Sequence, residues 1–106
     1  EPPSFDLILL GVGADGHTAS LFPHSEVLNE HERLVRHVVA PDYAPVRDRI
    51  TMTPLLLNRA KRILFLVGGG DKRDVVGRAL DEPPSPAVPA GMIEGAGETF
   101  WFTNFN

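Results

Sequence analysis

The chain has 106 residues, 42% of them apolar, no cysteine, and a formal charge of −4. That is one domain or part of one. It excludes a disulfide scaffold and a thiolate metal site, and the absence of any basic block argues against nucleic acid as a partner. An anionic small molecule stays open, because one or two placed cations suffice. No signal peptide is recognisable and no apolar run approaches the ~18 residues of a membrane span, so no membrane is expected and the cytoplasm is the default location. The chain opens on Glu1 rather than Met and reaches a strand-like run by Phe5. It is therefore expected to start part-way along a longer chain.

Residues 5–10, F-D-L-I-L-L, end in four apolar residues that glycines stop, which predicts a strand buried on both faces of a parallel sheet. Residues 11–16 form a glycine-rich turn, and 17–22 have room for one or two helical turns before Pro23. Residues 26–37 read as loop or short helix, 37–40 as a strand, and 41–48 as a loop marked by two prolines. The alternation over 49–53 predicts a period-two strand with Ile50 and Met52 on one face and Arg49, Thr51 and Thr53 on the other. Thr53 and Pro54 suit the N-cap and first position of a short helix over 55–60. A second buried strand falls within 62–67 and is broken by Gly68, Gly69 and Gly70. Asp71 then stands as the cap of a helix over 72–80, with Val75, Val76, Ala79 and Leu80 as its apolar stripe. Four prolines make 81–91 an extended loop, and 99–103 is a last strand whose aromatic residues 100–102 are expected in the core. Strands alternating with short helices predict an α/β fold with a mostly parallel sheet. Ligands in such sheets bind beyond the carboxyl ends of the strands, where both glycine-rich turns fall.

Gly11, Gly13 and Gly16 match the G-x-G-x-x-G pattern of dinucleotide sites. Three features oppose that reading. Pro23 comes too soon for a sustained helix, Glu30 and Glu32 lie in a polar stretch rather than at a strand end, and Asp15 would point negative charge at a pyrophosphate. The glycines let the backbone bend sharply and expose N–H groups. Asp15 and His17 are separated by one glycine, so both side chains can face one concave surface. There His17 can take a proton from water, while Asp15 orients the ring or holds a substrate hydroxyl. The alternative is that Asp15 caps the next turn and His17 is a surface residue. Lys72, after three glycines at a helix N-terminus, is either an anion ligand or a solvated lysine. Arg49 serves phosphate or a structural ion pair, and Ser20 binds substrate or caps a turn. His24, His31 and His37 lie in polar surroundings without metal-ligand spacing, so neither a metal nor another cofactor is expected. No G-x-S-x-G elbow and no cysteine offers a covalent nucleophile.

The run L-G-V-G-A-D-G-H-T-A-S-L-F-P, residues 10–23, resembles the signature of the 6-phosphogluconolactonases, which share a sugar-phosphate superfamily with the glucosamine-6-phosphate deaminases. The deaminases share G-x-G-x-D-G-H but continue with an acidic F-N-E-P-type segment, whereas this chain has S-L-F-P at 20–23. The similarity continues through R-I-T at 49–51, G-G-G-D-K ending at Lys72, and the F-W-F segment. The resemblance implies a Rossmann-like α/β domain about twice this length, of which residues 1–106 are the C-terminal half. The other half carries a further glycine-rich phosphate loop and an arginine, neither present here, so a missing half or self-association is an expected partner. It further implies hydrolysis of a small phosphorylated sugar lactone, 6-phospho-D-glucono-1,5-lactone, by water that His17 activates and Asp15 supports. Backbone N–H groups around Gly11, Gly13 and Gly16 would meet the oxyanion, and Ser20, Arg49 and Lys72 the substrate. The rival readings are a glucosamine-6-phosphate deaminase or isomerase and a non-catalytic sugar-phosphate sensor.

Overall fold

Apolar runs closed by glycine form the centre of the structure, a computed structural model that describes residues 3–106; Glu1 and Pro2 lie outside the described residues. Strand β1, Ile8–Leu10, pairs in parallel with β4, Arg62–Gly68, which pairs in parallel with β5, Glu98–Asn104. The register sets Ile8 opposite Ile63 and Leu10 opposite Phe65, with Phe65 opposite Trp101. Between β1 and β4 the chain makes an antiparallel hairpin, β2 (Val35–Val39) and β3 (Asp48–Met52), and then helix α1 (Pro54–Leu57). Helix α2, Arg73–Asp81, connects β4 to β5. This is the mixed, mostly parallel α/β architecture that the alternation of elements predicts.

The core lies on one face of the sheet. Ile8, Leu10, Ile63, Phe65 and Val67 pack there against Leu57 of α1 and Val75 and Val76 of α2. The Trp101 ring stacks on Phe65 at 4.0 Å between centroids. The other face carries Leu9, Leu66, Phe100 and Phe102, all exposed. Burial on both faces therefore does not hold among the described residues, and of the three aromatic residues at 100–102 only Trp101 joins the core. Parallel sheets usually have both faces covered, and an apolar sheet face of this kind marks a contact surface.

Several local expectations change for identifiable reasons. Residues 17–22 form turns and an isolated bridge between Thr18 and Leu21 rather than helix. Thr18 Oγ1 donates to Gly11 O at 2.7 Å and Ala19 has φ 51°, so the segment folds back on the glycine turn. The strand expected at 37–40 is Val35–Val39, and in β3 Asp48 and Ile50 are exposed while Thr51 is buried. The polar face of β3 is thus the inner one, with Val38 of β2 buried beside it. Thr53 precedes Pro54 as expected, but its hydroxyl donates to Arg33 O at 2.7 Å instead of capping α1. Helix α1 ends at Leu57, short of 60. Gly70–Lys72 make a 3-10 turn, so α2 begins at Arg73 with Lys72, not Asp71, in the capping position. The proline-rich stretch is not simply extended. Pro89–Met92 form a 3-10 turn, and Ala90 N donates to Gly16 O at 3.0 Å, which locks that turn under the glycine loop. Among the described residues no helix is long and apolar enough to cross a membrane.

Glu30 joins the 3-10 turn over Glu26–Asn29 to the hairpin. Its Oε2 accepts the N–H groups of Arg33 and Glu32, and its Oε1 accepts Arg36 Nη1 at 2.9 Å. The Arg33 N–H first, then the Glu32 N–H, then Arg36 lower its pKa from 4.5 to about 2 against the opposing effect of burial. A carboxylate whose pKa is depressed on folding contributes stability above its unfolded value and loses it as pH falls through the folded one. Glu30→Gln is therefore expected to destabilise the protein at neutral pH. Denaturant unfolding of the two forms should converge as pH falls from 4.5 towards about 2; a pH-independent gap would contradict the assignment.

Candidate active site

The carboxyl ends of β1 and β4 are neighbours, so the turn 11–16 and the turn 68–70 lie side by side. Lys72 Nζ crosses between them and donates to Val12 O at 2.7 Å. At this end an open depression of about 390 Å³ is lined by Gly11, Val12, Gly13, His17 and Ala19.

The turn closes on itself through Gly13 N donating to His17 O at 2.8 Å and Gly16 N donating to Gly13 O at 2.9 Å. Those two N–H groups are engaged within the loop, which takes them out of the set expected to meet an oxyanion. Gly16 is needed twice over. Its φ of 95° lies in the left-handed region, and a Cβ there would sit 3.2 Å from Val88. Gly13 is needed for space, since a Cβ would overlap Cε1 and Nδ1 of the His17 ring.

Asp15 Oδ1 accepts both the backbone N–H of His17 at 3.0 Å and its ring Nδ1 at 2.5 Å. A carboxylate only accepts, so the proton of this bond belongs to Nδ1, and in the neutral ring Nε2 then carries the lone pair. Asp15 Oδ2 accepts the Tyr43 hydroxyl. Oδ1 thus carries both His17 donors and Oδ2 the Tyr43 hydroxyl, an arrangement that holds the imidazole against the carboxylate. Burial would raise its pKa; the Tyr43 hydroxyl, the His17 N–H and the His17 ring together outweigh burial and hold it below the ordinary aspartate value. Asp15 is therefore a carboxylate at neutral pH.

His17 is also held from behind. Its ring stacks on Phe22 at 4.6 Å with 29° between planes, and the Arg49 guanidinium lies 5.4 Å from the centre of the Phe22 ring. Arg49 Nε donates to Val46 O at 2.8 Å. Ser20 N donates to Thr51 Oγ1 at 3.1 Å, tying the turn to the inner face of the hairpin. Asp15, His17, Gly11 and Gly13 are thus brought together at the depression, with Lys72 joined to its lining through Val12 and Arg49 joined through Phe22. Ser20 is bound by its backbone in a structural contact. His37 is remote in role, paired with Asp48 at 3.0 Å on the exposed hairpin. Among the described residues no group of three or more His, Asp or Glu side chains is placed to hold a metal ion. Sequence reasoning missed Tyr43. Nothing local marks it, because its partner Asp15 lies 28 positions away.

Gly13→Ala should push the His17 ring off Asp15 while leaving the backbone intact, since the overlap is with a side chain. The expected result is loss of the hydrogen-bonded Nδ1 proton resonance of His17 without a large change in melting temperature. An unchanged resonance would contradict the packing argument.

A family model described as glucosamine-6-phosphate isomerases/6-phosphogluconolactonase matches residues 1–101. A 6-phosphogluconolactonase of Synechocystis is 45% identical over 100 residues, covering 93% of this chain and 40% of the relative. The human 6-phosphogluconolactonase is 38% identical over 101 residues, covering 94% and 39%. The solved 6-phosphogluconolactonase of Trypanosoma brucei superposes with a TM-score of 0.85 at 31% identity, covering 96% of this chain and 40% of that one. The chain spans about two-fifths of the length of these relatives. With the glycine turn, the Asp15–His17 pair and the parallel sheet all in place, the chain belongs to the glucosamine-6-phosphate isomerase/6-phosphogluconolactonase family.

Proposed function

We propose that the protein hydrolyses 6-phospho-D-glucono-1,5-lactone to 6-phosphogluconate, using His17 as the base that activates water. The observation that carries this reading is the 2.5 Å bond from His17 Nδ1 to Asp15 Oδ1 beside an open depression at the carboxyl end of β1. The names of the relatives point the same way, and S-L-F-P at 20–23 favours the lactonase over the isomerase side of the family. In the reaction a water oxygen attacks the lactone carbonyl carbon and gives its proton to His17 Nε2. The tetrahedral intermediate then expels the ring oxygen, which takes that proton back, and the product is the open-chain acid. Asp15 stabilises the imidazolium that forms in between.

Lys72 and Arg49 are the cations nearest to this arrangement in role. Lys72 carries three donors, of which Val12 O takes one, so the substrate phosphate has charge and hydrogen bonds to meet. We further infer that residues 1–106 are the C-terminal half of one such domain. The exposed apolar face of the sheet then packs against the remainder of the protein or a second copy. A phosphorylated sugar does not cross membranes unaided, which accords with a cytoplasmic enzyme.

The test is hydrolysis of freshly prepared lactone by the native protein and by its His17→Ala form. Loss of a positioned base is expected to lower kcat by roughly 10²- to 10⁴-fold with the fold retained. Near-normal turnover in the variant would remove His17 from the mechanism, and no turnover by the folded parent would favour the deaminase or the sensor.

A further inference from the structure

Tyr43 sits in the connection between β2 and β3. Residues 40–47 close into a loop through Ala40 N donating to Arg47 O at 2.7 Å and Arg47 Nε donating to Ala40 O at 3.0 Å. Ala44 N donates to Pro41 O at 3.0 Å within it. Tyr43 is 64% exposed, so burial of its ring contributes little to holding it in place. Its hydroxyl nevertheless crosses to Asp15 Oδ2 on the glycine turn. The donor is a neutral phenol and the acceptor a carboxylate, which makes this a charge-assisted bond.

The consequence concerns how a carboxylate is held. Rotation about the Cβ–Cγ bond of aspartate is soft, with broad wells rather than three sharp ones. The two His17 donors both grip Oδ1, which anchors one end of the carboxylate only. The Tyr43 hydroxyl anchors the other end, and together they fix the carboxylate plane against the imidazole.

We propose that Tyr43 is a positioning residue for the Asp15–His17 pair, its hydroxyl locking the Asp15 carboxylate so that Oδ1 stays on His17 Nδ1. The proposal rests on the reading of His17 as the base. Tyr43 touches neither water nor lactone in this role; it acts through Asp15. The bond also fastens the loop 40–47 to the glycine turn, so hairpin and site move together.

The test compares Tyr43→Phe, Asp15→Asn and the double variant in the native protein, reading kcat, KM, the melting temperature and the His17 Nδ1 proton resonance. Tyr43→Phe keeps the ring and removes only the hydroxyl. Its kcat is expected to fall about tenfold, the low end of what one hydrogen bond to a charged group is worth. KM should change little, and the Nδ1 resonance should broaden or move. In the Asp15→Asn background the same change should add no further loss, because its route to His17 is already cut. Unchanged kcat and resonance in Tyr43→Phe would overturn the proposal, as would an undiminished effect in the Asp15→Asn background. If the parent hydrolyses no lactone, the reading of function fails. The resonance then decides the positioning claim alone: a change in Tyr43→Phe supports it and an unaltered signal overturns it.

Discussion

Parallel pairing of β1 with β4 is the constraint on which the rest of the site depends. A parallel pair brings the carboxyl ends of both strands to one edge, and the register that sets Leu10 opposite Phe65 decides which turns meet there. The turn after β1 supplies Asp15 and His17, and the turn after β4 supplies Lys72, whose ammonium binds Val12 O across the gap. The pairing is held by burial of Ile8, Leu10, Ile63 and Phe65 on one face. A slip of one residue would turn those side chains to the opposite face and separate the two turns. Core packing and the geometry of the candidate site are therefore the same constraint seen at two distances from the sheet.

Within the turn, each feature limits the freedom of one imidazole. Gly13 leaves the volume the ring occupies, and Gly16 takes the left-handed conformation that returns the chain towards His17. Asp15 fixes the tautomer from one side, Phe22 supports the ring by stacking, and Arg49 lies over Phe22. The proline-rich stretch closes the assembly from below, with Val88 against Gly16 and Ala90 N on Gly16 O. In the proposed role, an imidazole held this way spends little free energy on reorganisation when a proton arrives.

The parts legible in the sequence were those with a local cause. Strands β1 and β4 show as apolar runs punctuated by glycine, the α2 stripe as helical spacing, and the Asp15–His17 pair as two polar residues separated by one glycine. What the sequence hid was decided by distant partners. Segment 17–22 has room for helical turns before Pro23, but the Thr18 hydroxyl is taken by Gly11 O and draws the chain back. The Thr53 hydroxyl leaves its helix for Arg33 O, 20 positions away. The inner face of β3 is the polar one because Thr51 meets Ser20 and Arg49 meets Phe22, so alternation gave the period and not the side. Tyr43 carries no local signal at all.

The one-sided sheet gives these observations a common frame. Leu9, Leu66, Phe100 and Phe102 remain exposed in a chain that spans about two-fifths of its relatives, while the Asp15–His17 pair is complete within the described residues. Asp15 and His17 come from the turn after β1 and their supports Tyr43 and Arg49 from the separate hairpin. The central claim is direct attack by water that His17 deprotonates, and a single turnover of the native protein in ¹⁸O-labelled water tests it most directly. The account predicts one labelled oxygen in the carboxylate of the first product molecules and none in the protein. Unlabelled first product, with the label in a protein carboxylate such as that of Asp15, would show a covalent intermediate and contradict it.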